Sequence, residues 1–230
     1  MRAFSLRSLP LLAALVPGVA AAINRALQFV VTGGVGSRAD LTVAGTGTAL
    51  SGTSWSRKMR LRIDAAVAGG SYLTARANGA SDEHALIHNY AADGANVIAF
   101  FSNGPAGNST GGTIRLALTI ATPPGPAFVL IEFTYDGATL RGFVDGAAAG
   151  SLATVMTLNA APDLTLSLGA RNNTGGAPSN LTIDYDILTV GTGQPVNLQL
   201  NEAAGGPYAN TGTAGGTLTL TTPPPTSVTL

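Results

Sequence analysis

The sequence predicts an all-β protein built as an antiparallel β-sandwich, and three observations predict it. Apolar and polar residues alternate with a period of two through many short runs, as in Val129, Ile131, Phe133 and Tyr135 against Glu132 and Thr134. Dipeptides suited to positive φ close those runs, Asp136-Gly137 and Asp145-Gly146 among them. No long helical repeat of apolar residues competes with the strands. The 30 glycines and 13 prolines suit many short strands joined by tight turns, and a 45% hydrophobic share can fill one sizeable core. A chain of 230 residues can form a single sandwich.

Taken in order, residues 1–22 place Arg2 and Arg7 before an apolar stretch that ends in Ala20-Ala21-Ala22. That is the pattern of a secretory leader with a small-residue cleavage site. The competing reading, adopted here, is an N-terminal arm that packs on a neighbouring subunit through Phe4, Leu6, Leu9, Leu11, Leu12, Leu15 and Val16. Pro10 and Pro17 break the stretch, which is too short to span a bilayer. Residues 23–31 read as the first strand, 32–36 as a Gly-rich loop and 41–43 as a short second strand. Met59, Leu61 and Ile63 alternate with Arg60 and Arg62, which predicts a strand with a cationic outer face. Residues 71–77 form a further strand, 81–89 a polar segment holding both histidines, and 97–101 a buried apolar strand. Ile114, Leu116, Leu118 and Ile120 alternate with Arg115, Ala117 and Thr119 as a half-buried strand.

Pro123, Pro124 and Pro126 interrupt the chain before a strand over residues 129–135, and strands over 140–144, 164–168 and 181–188 follow. Residues 198–202 and 216–222 are the last strands. Pro223-Pro224-Pro225 then opens an extended tail without the amide donors that a central strand requires. The plan is an arm over residues 1–22, a sandwich over 23–196, and a C-terminal strand with a Pro-rich tail over 197–230.

The series strand, Tyr135-Asp136-Gly137, strand, Asp145-Gly146, strand, Leu168-Gly169-Ala170-Arg171 resembles the central hairpins of laminin-G-like domains, members of the concanavalin A-like jelly-roll superfamily. The phrase Asn24-Arg25-Ala26-Leu27-Gln28-Phe29 is similar to the opening of many bacterial and phage modules of that kind. The resemblance extends over residues 23–190 and implies a jelly roll with extended terminal arms around it. It implies little about activity, since lectins, glycosidases, adhesion modules and virus structural parts share the fold. Arg60 and Arg62 depart from the pattern, because family members carry an aromatic-rich strand there.

Composition narrows the function classes. Charged residues make up 10% of the chain, against roughly 25% in ordinary soluble domains. Such a surface is weakly protected against association, which predicts a symmetric homo-oligomer. The net charge is zero and there is no basic run, so nucleic-acid binding has no electrostatic source. The absence of cysteine excludes disulfides, thiol catalysis and thiolate metal sites.

Glycosidases of this superfamily carry a Glu-x-Asp-x-x-Glu strand, and Glu83, Glu132 and Glu202, the three glutamates, do not form one. Glu132 and Asp136 share a parity, but Asp136 reads as the turn residue. Asp82, Glu83, His84 and His88 are the densest cluster of potential ligands, although the HExxH order is missing and a polar surface loop explains them as well. The resemblance implies calcium as the one conceivable cofactor, with Asp40, Asp93 and Asp184 as contributors. For a glycan the candidates are Trp55, the single tryptophan, with Asp82 and His84 beside it; the alternative for Trp55 is a place in the core.

These features add up to a non-enzymatic structural protein of a virus particle, a bacteriophage capsid decoration or fibre protein assembled through its arms with other virion subunits. The alternative is a secreted bacterial glycan-binding or adhesion module from which residues 1–22 have been removed.

Overall fold

A computed structural model of the chain describes residues 24–46, 54–67, 70–78, 81–90, 93–103, 113–121, 127–156, 163–171, 176–202 and 205–230, with backbone alone at 75–78, 81–83, 103 and 113. The expected arm, with Phe4, Leu6, Leu9, Leu11, Leu12, Leu15 and Val16, lies outside the described residues.

Among the described residues the chain forms seventeen strands. The first eight are β1 (Arg25–Phe29), β2 (Val31–Thr32), β3 (Val35–Gly36), β4 (Ala39–Val43), β5 (Trp55–Ala65), β6 (Ser71–Asn78), β7 (Ser81–His88) and β8 (Val97–Asn103). β9 (Thr113–Thr119), β10 (Val129–Tyr135), β11 (Thr139–Val144), β12 (Ala147–Ala153) and β13 (Leu164–Leu168) follow. β14 (Asn180–Val190), β15 (Gly193–Leu198), β16 (Leu218–Leu220) and β17 (Thr226–Thr229) complete the set. An 8-stranded sheet has the order β12-β11-β10-β5-β14-β1-β17, with β15 also on β14, and a 7-stranded sheet has the order β16-β4-β13-β6-β7-β8-β9. β2 and β3 form a small separate hairpin.

The central pair of the larger sheet is β5 and β14, each 11 residues long. Along β5 burial alternates without a break, so Trp55, Arg57, Met59, Leu61 and Ile63 face the core while Lys58, Arg60, Arg62 and Asp64 face outward. β14 begins in step with β5, Leu181 opposite Ile63 and Ile183 opposite Leu61. A bulge after Ile183 sets Asp184 and Tyr185 together opposite Arg60. One extra residue reverses the parity of everything beyond it. Asp184 therefore stays on the outer face beside Arg60, while Asp186 turns into the core beside Arg57.

That inward aspartate ties the two sheets together. Arg57 donates from Nε and Nη2 to the two oxygens of Asp186 at 3.0 and 2.5 Å. Its Nη1 donates to the His84 carbonyl on β7 at 2.6 Å, and Nη2 reaches Thr74 Oγ1 on β6 at 2.7 Å. Arg57 and Asp186 are fully buried, so their charges have each other and these partners in place of water. Around them Trp55 stacks on Phe100 at 5.0 Å between ring centres and meets the His84 ring edge-on at 4.4 Å. Phe100 in turn lies 5.5 Å from Phe133, which carries the aromatic cluster back to the larger sheet.

Three expectations need correction. Residues 81–89 are not a polar surface loop: they contain β7, with Ala85, Leu86 and Ile87 buried, because strand pairing on both sides draws the apolar half inward. The boundary at residue 197 falls inside β15, and the segment after it is no arm. Tyr208 and Leu218 are buried, β16 pairs with β4, and β17 pairs with β1. The prolines do hold to their rule, since β17 takes the edge of the sheet. β12 went unpredicted, because Ala147 to Ala153 offers only small residues apart from Leu152 and no apolar alternation.

Candidate functional site

The residues singled out in the sequence do not converge. Trp55 is 4% exposed and His84 0%, so both belong to the core and offer no surface to a sugar. The Asp82 side chain lies outside the described residues. Asp40 accepts from Arg38 Nε at 2.9 Å and from Ser167 Oγ at 2.6 Å on the smaller sheet. Asp93 is paired with Arg115 just before β8, and Asp184 with Arg60 on the larger sheet. Each carboxylate is thus met by a guanidinium in a different place. Among the described residues no three acidic or histidine side chains gather as metal ligands, so this donor set does not fit calcium.

The carboxylates considered for catalysis are also committed elsewhere. Glu132 pairs across strands with Lys58 at 3.3 Å. Asp136 binds Arg141 and accepts from the amides of Ala138 and Thr139, which holds its carboxyl down at about 2. A general acid for glycoside cleavage needs the opposite shift. His88 donates from Nε2 to the Ala95 carbonyl at 2.7 Å, and its burial lowers its pKa below the ordinary histidine value.

What the fold does assemble lies on the outer face of the larger sheet. Arg60 and Arg62 project from β5 towards Phe128, whose ring centre is 4.7 and 5.4 Å from the two guanidinium carbons. Arg60 is ion-paired with Asp184 at the bulge. Arg62 donates from Nε to Asp64 Oδ1 at 2.6 Å, and Asp64 Oδ2 accepts from Thr182 Oγ1 at 2.7 Å and from Gln28 Nε2 at 3.3 Å. These charges remain wet: the Arg60 side chain is 38% exposed and that of Arg62 28%. The opposite wall of the same groove comes from β17 and the residue after it, through Val228, Thr229 and Leu230, with Asn24 beside them. The space so enclosed is about 380 Å³. Leu230 closes against the start of β1 by donating its amide to the Asn24 carbonyl at 2.9 Å.

Sequence reasoning recognised the cationic face of β5 but not this groove. The alternation of Arg60 and Arg62 was visible; the docking of residues 228–230 against them had no local signal. A second aromatic cluster, Tyr72 with Tyr90 and Phe101 on the outer face of the smaller sheet, is capped by a returning loop. There Tyr72 donates its amide to the Ala177 carbonyl, and Ser179 Oγ donates to the Tyr72 carbonyl.

No family model matches the sequence, and no curated protein matches it. Solved structures do share the fold. A candidate carbohydrate-binding protein from Bacteroides ovatus superposes over 90% of this chain with a TM-score of 0.57 at 13% identity. Domains LG4–5 of the mouse laminin α1 chain superpose over 78% of this chain with a TM-score of 0.50, also at 13% identity. The chain spans 60% of the length of the first and 48% of the second. It has the jelly-roll sandwich fold of laminin-G-like and concanavalin A-like proteins, as the hairpins over residues 128–171 led one to expect.

Proposed function

We propose that this chain is a non-catalytic carbohydrate-binding module whose site is the groove between Phe128 and β17 on the outer face of the larger sheet. The observation that carries the reading is the meeting, in one open groove, of an aromatic ring with two guanidinium groups, each ion-paired with a neighbouring carboxylate. Sugar hydroxyls require donors and acceptors side by side, and the C–H face of a pyranose requires an apolar wall. Phe128, Val228 and Leu230 supply that wall; Arg60, Arg62, Asn24 and Thr229 supply the polar groups of the lining, with Asp184 held beside Arg60. The fold's occurrence in a protein assigned to carbohydrate binding supports the same class. Binding without catalysis fits the engagement of Glu132 by Lys58 and of Asp136 by its own turn.

On this reading the module works outside the cell, and residues 1–22 serve as its leader rather than as an assembly arm. The particle-assembly alternative rests on that segment and on the low charge of the chain, and neither bears on the groove. A glycan array probed with the purified protein tests the proposal. Binding to a defined subset of glycans is expected, with a loss of roughly tenfold or more in Phe128→Ala and Arg60→Ala variants that keep the wild-type circular dichroism spectrum. Binding that survives both substitutions would move the site elsewhere, and silence across the array would remove the carbohydrate reading.

A further inference from the structure

The groove carries two positive charges, yet neither is offered alone. Arg60 faces Asp184 and Arg62 faces Asp64, so each guanidinium is balanced by a carboxylate a hydrogen bond away. The two pairs differ in what they leave over. Asp64 is saturated by Arg62, Thr182 and Gln28. Asp184 accepts from Arg60 at Oδ2, and among the described residues no donor reaches its Oδ1. Arg60 spends one N–H of its planar fork on that bond, and its side chain keeps 38% exposure. The Arg60 donor lines the groove and the Asp184 acceptor, 13% exposed, stands directly beside it, held in register by the bulge that sets Asp184 opposite Arg60.

We infer that, within the carbohydrate-binding reading on which this rests, the groove selects neutral sugars with vicinal hydroxyls over acidic ones. A vicinal diol can accept from the Arg60 fork with one oxygen and donate to Asp184 Oδ1 with the other. A uronate or sulfate would bring a second negative charge against Asp184 and Asp64 and could reach Arg60 only by displacing the Asp184 carboxylate. Like charges at such contact are repulsive, and the guanidinium–carboxylate bond to be broken is of the stronger, charge-assisted kind. Charge neutrality also predicts a salt signature. Binding of a neutral diol has no long-range electrostatic component for ions to screen, whereas capture of an anion by exposed arginines weakens as the Debye length falls from about 30 to about 3 Å.

Isothermal titration of the full chain with neutral hexasaccharides of the cello-, manno- and xylo-series, and with oligogalacturonate and a heparin hexasaccharide, tests this at low and high salt. The expected result is binding confined to the neutral series, with an affinity that salt changes little. Asp184→Asn should weaken the neutral ligand by roughly tenfold, since a charged acceptor is lost, while Asp184→Ala with Arg60 intact should admit the acidic oligosaccharides. Salt-sensitive binding of the acidic probes to the wild-type chain, with none of the neutral ones, would overturn the selectivity and leave the carbohydrate reading standing. Failure of all the probes would overturn both. Chemical-shift changes confined to the backbone amides of residues 24–28, 60–62, 182–185 and 228–230 would distinguish binding in the groove from binding elsewhere.

Discussion

At the scale of single residues, the buried ion pair makes the sharpest demand. Arg57 has no water to turn to, so removing its partner leaves a bare charge between the sheets. Asp186→Ala should cost about 3–5 kcal/mol, whereas a paired apolar replacement such as Arg57→Met with Asp186→Leu should recover most of it. Denaturant unfolding of the single and double variants checks this; a single-variant loss near that of an exposed pair, below about 1 kcal/mol, would show that the charge finds relief. His88 makes a second demand through pH. Its burial lowers the folded-state pKa below the ordinary 6.5, so the unfolded chain binds the proton more readily than the folded one. The corresponding stability is fully present above pH 6.5 and drains away as the pH falls from there towards the folded value. Thermal melts of the wild type and His88→Gln between about pH 7.5 and about pH 5 should converge as the solution becomes acidic. Parallel curves would mean that His88 keeps its proton affinity on folding.

At the scale of elements, the bulge in β14 decides which aspartate faces which arginine. Deleting Asp184 would remove the extra residue and leave Tyr185 alone opposite Arg60, with the pairings from Asp186 onward unchanged. Asp186 would stay inside beside Arg57, whereas Arg60 would lose its carboxylate partner. The deletion variant is expected to keep the wild-type near-ultraviolet circular dichroism, and a molten variant would show that packing around β14 needs the bulge. Elements of this kind also explain what could be read in advance. β5, β9, β10 and β13 were legible because apolar and polar residues alternate along them. β12 was not, since its alanines and glycine carry no pattern; Gly150 instead allows Leu116 and Leu118 to approach from β9. The bulge leaves no mark in the sequence either, because Ile183-Asp184-Tyr185-Asp186 alternates as an ordinary strand would.

At the scale of the molecule, the sandwich was readable from its hairpins and the groove was not. Hairpins are local: β10, β11 and their turn lie within residues 129–144. The groove joins Asn24, Arg60, Phe128 and Val228, which meet only once strands far apart in sequence have joined the larger sheet. Trp55 and His84 misled for the same reason, as each is polar enough for a site and yet sits where two sheets meet. The pairing of β1 with β17, Arg25 opposite Thr229, sets a timetable as well as a shape. On the ribosome the start of the larger sheet must wait with its edge uncovered until residue 229 has emerged, long after the neighbouring hairpins have had time to form. The groove is thus the last part of the domain to come into being. A chain halted short of that point would carry nearly all of the sandwich and none of the groove's far wall, so ligand capture would report that synthesis has passed residue 229.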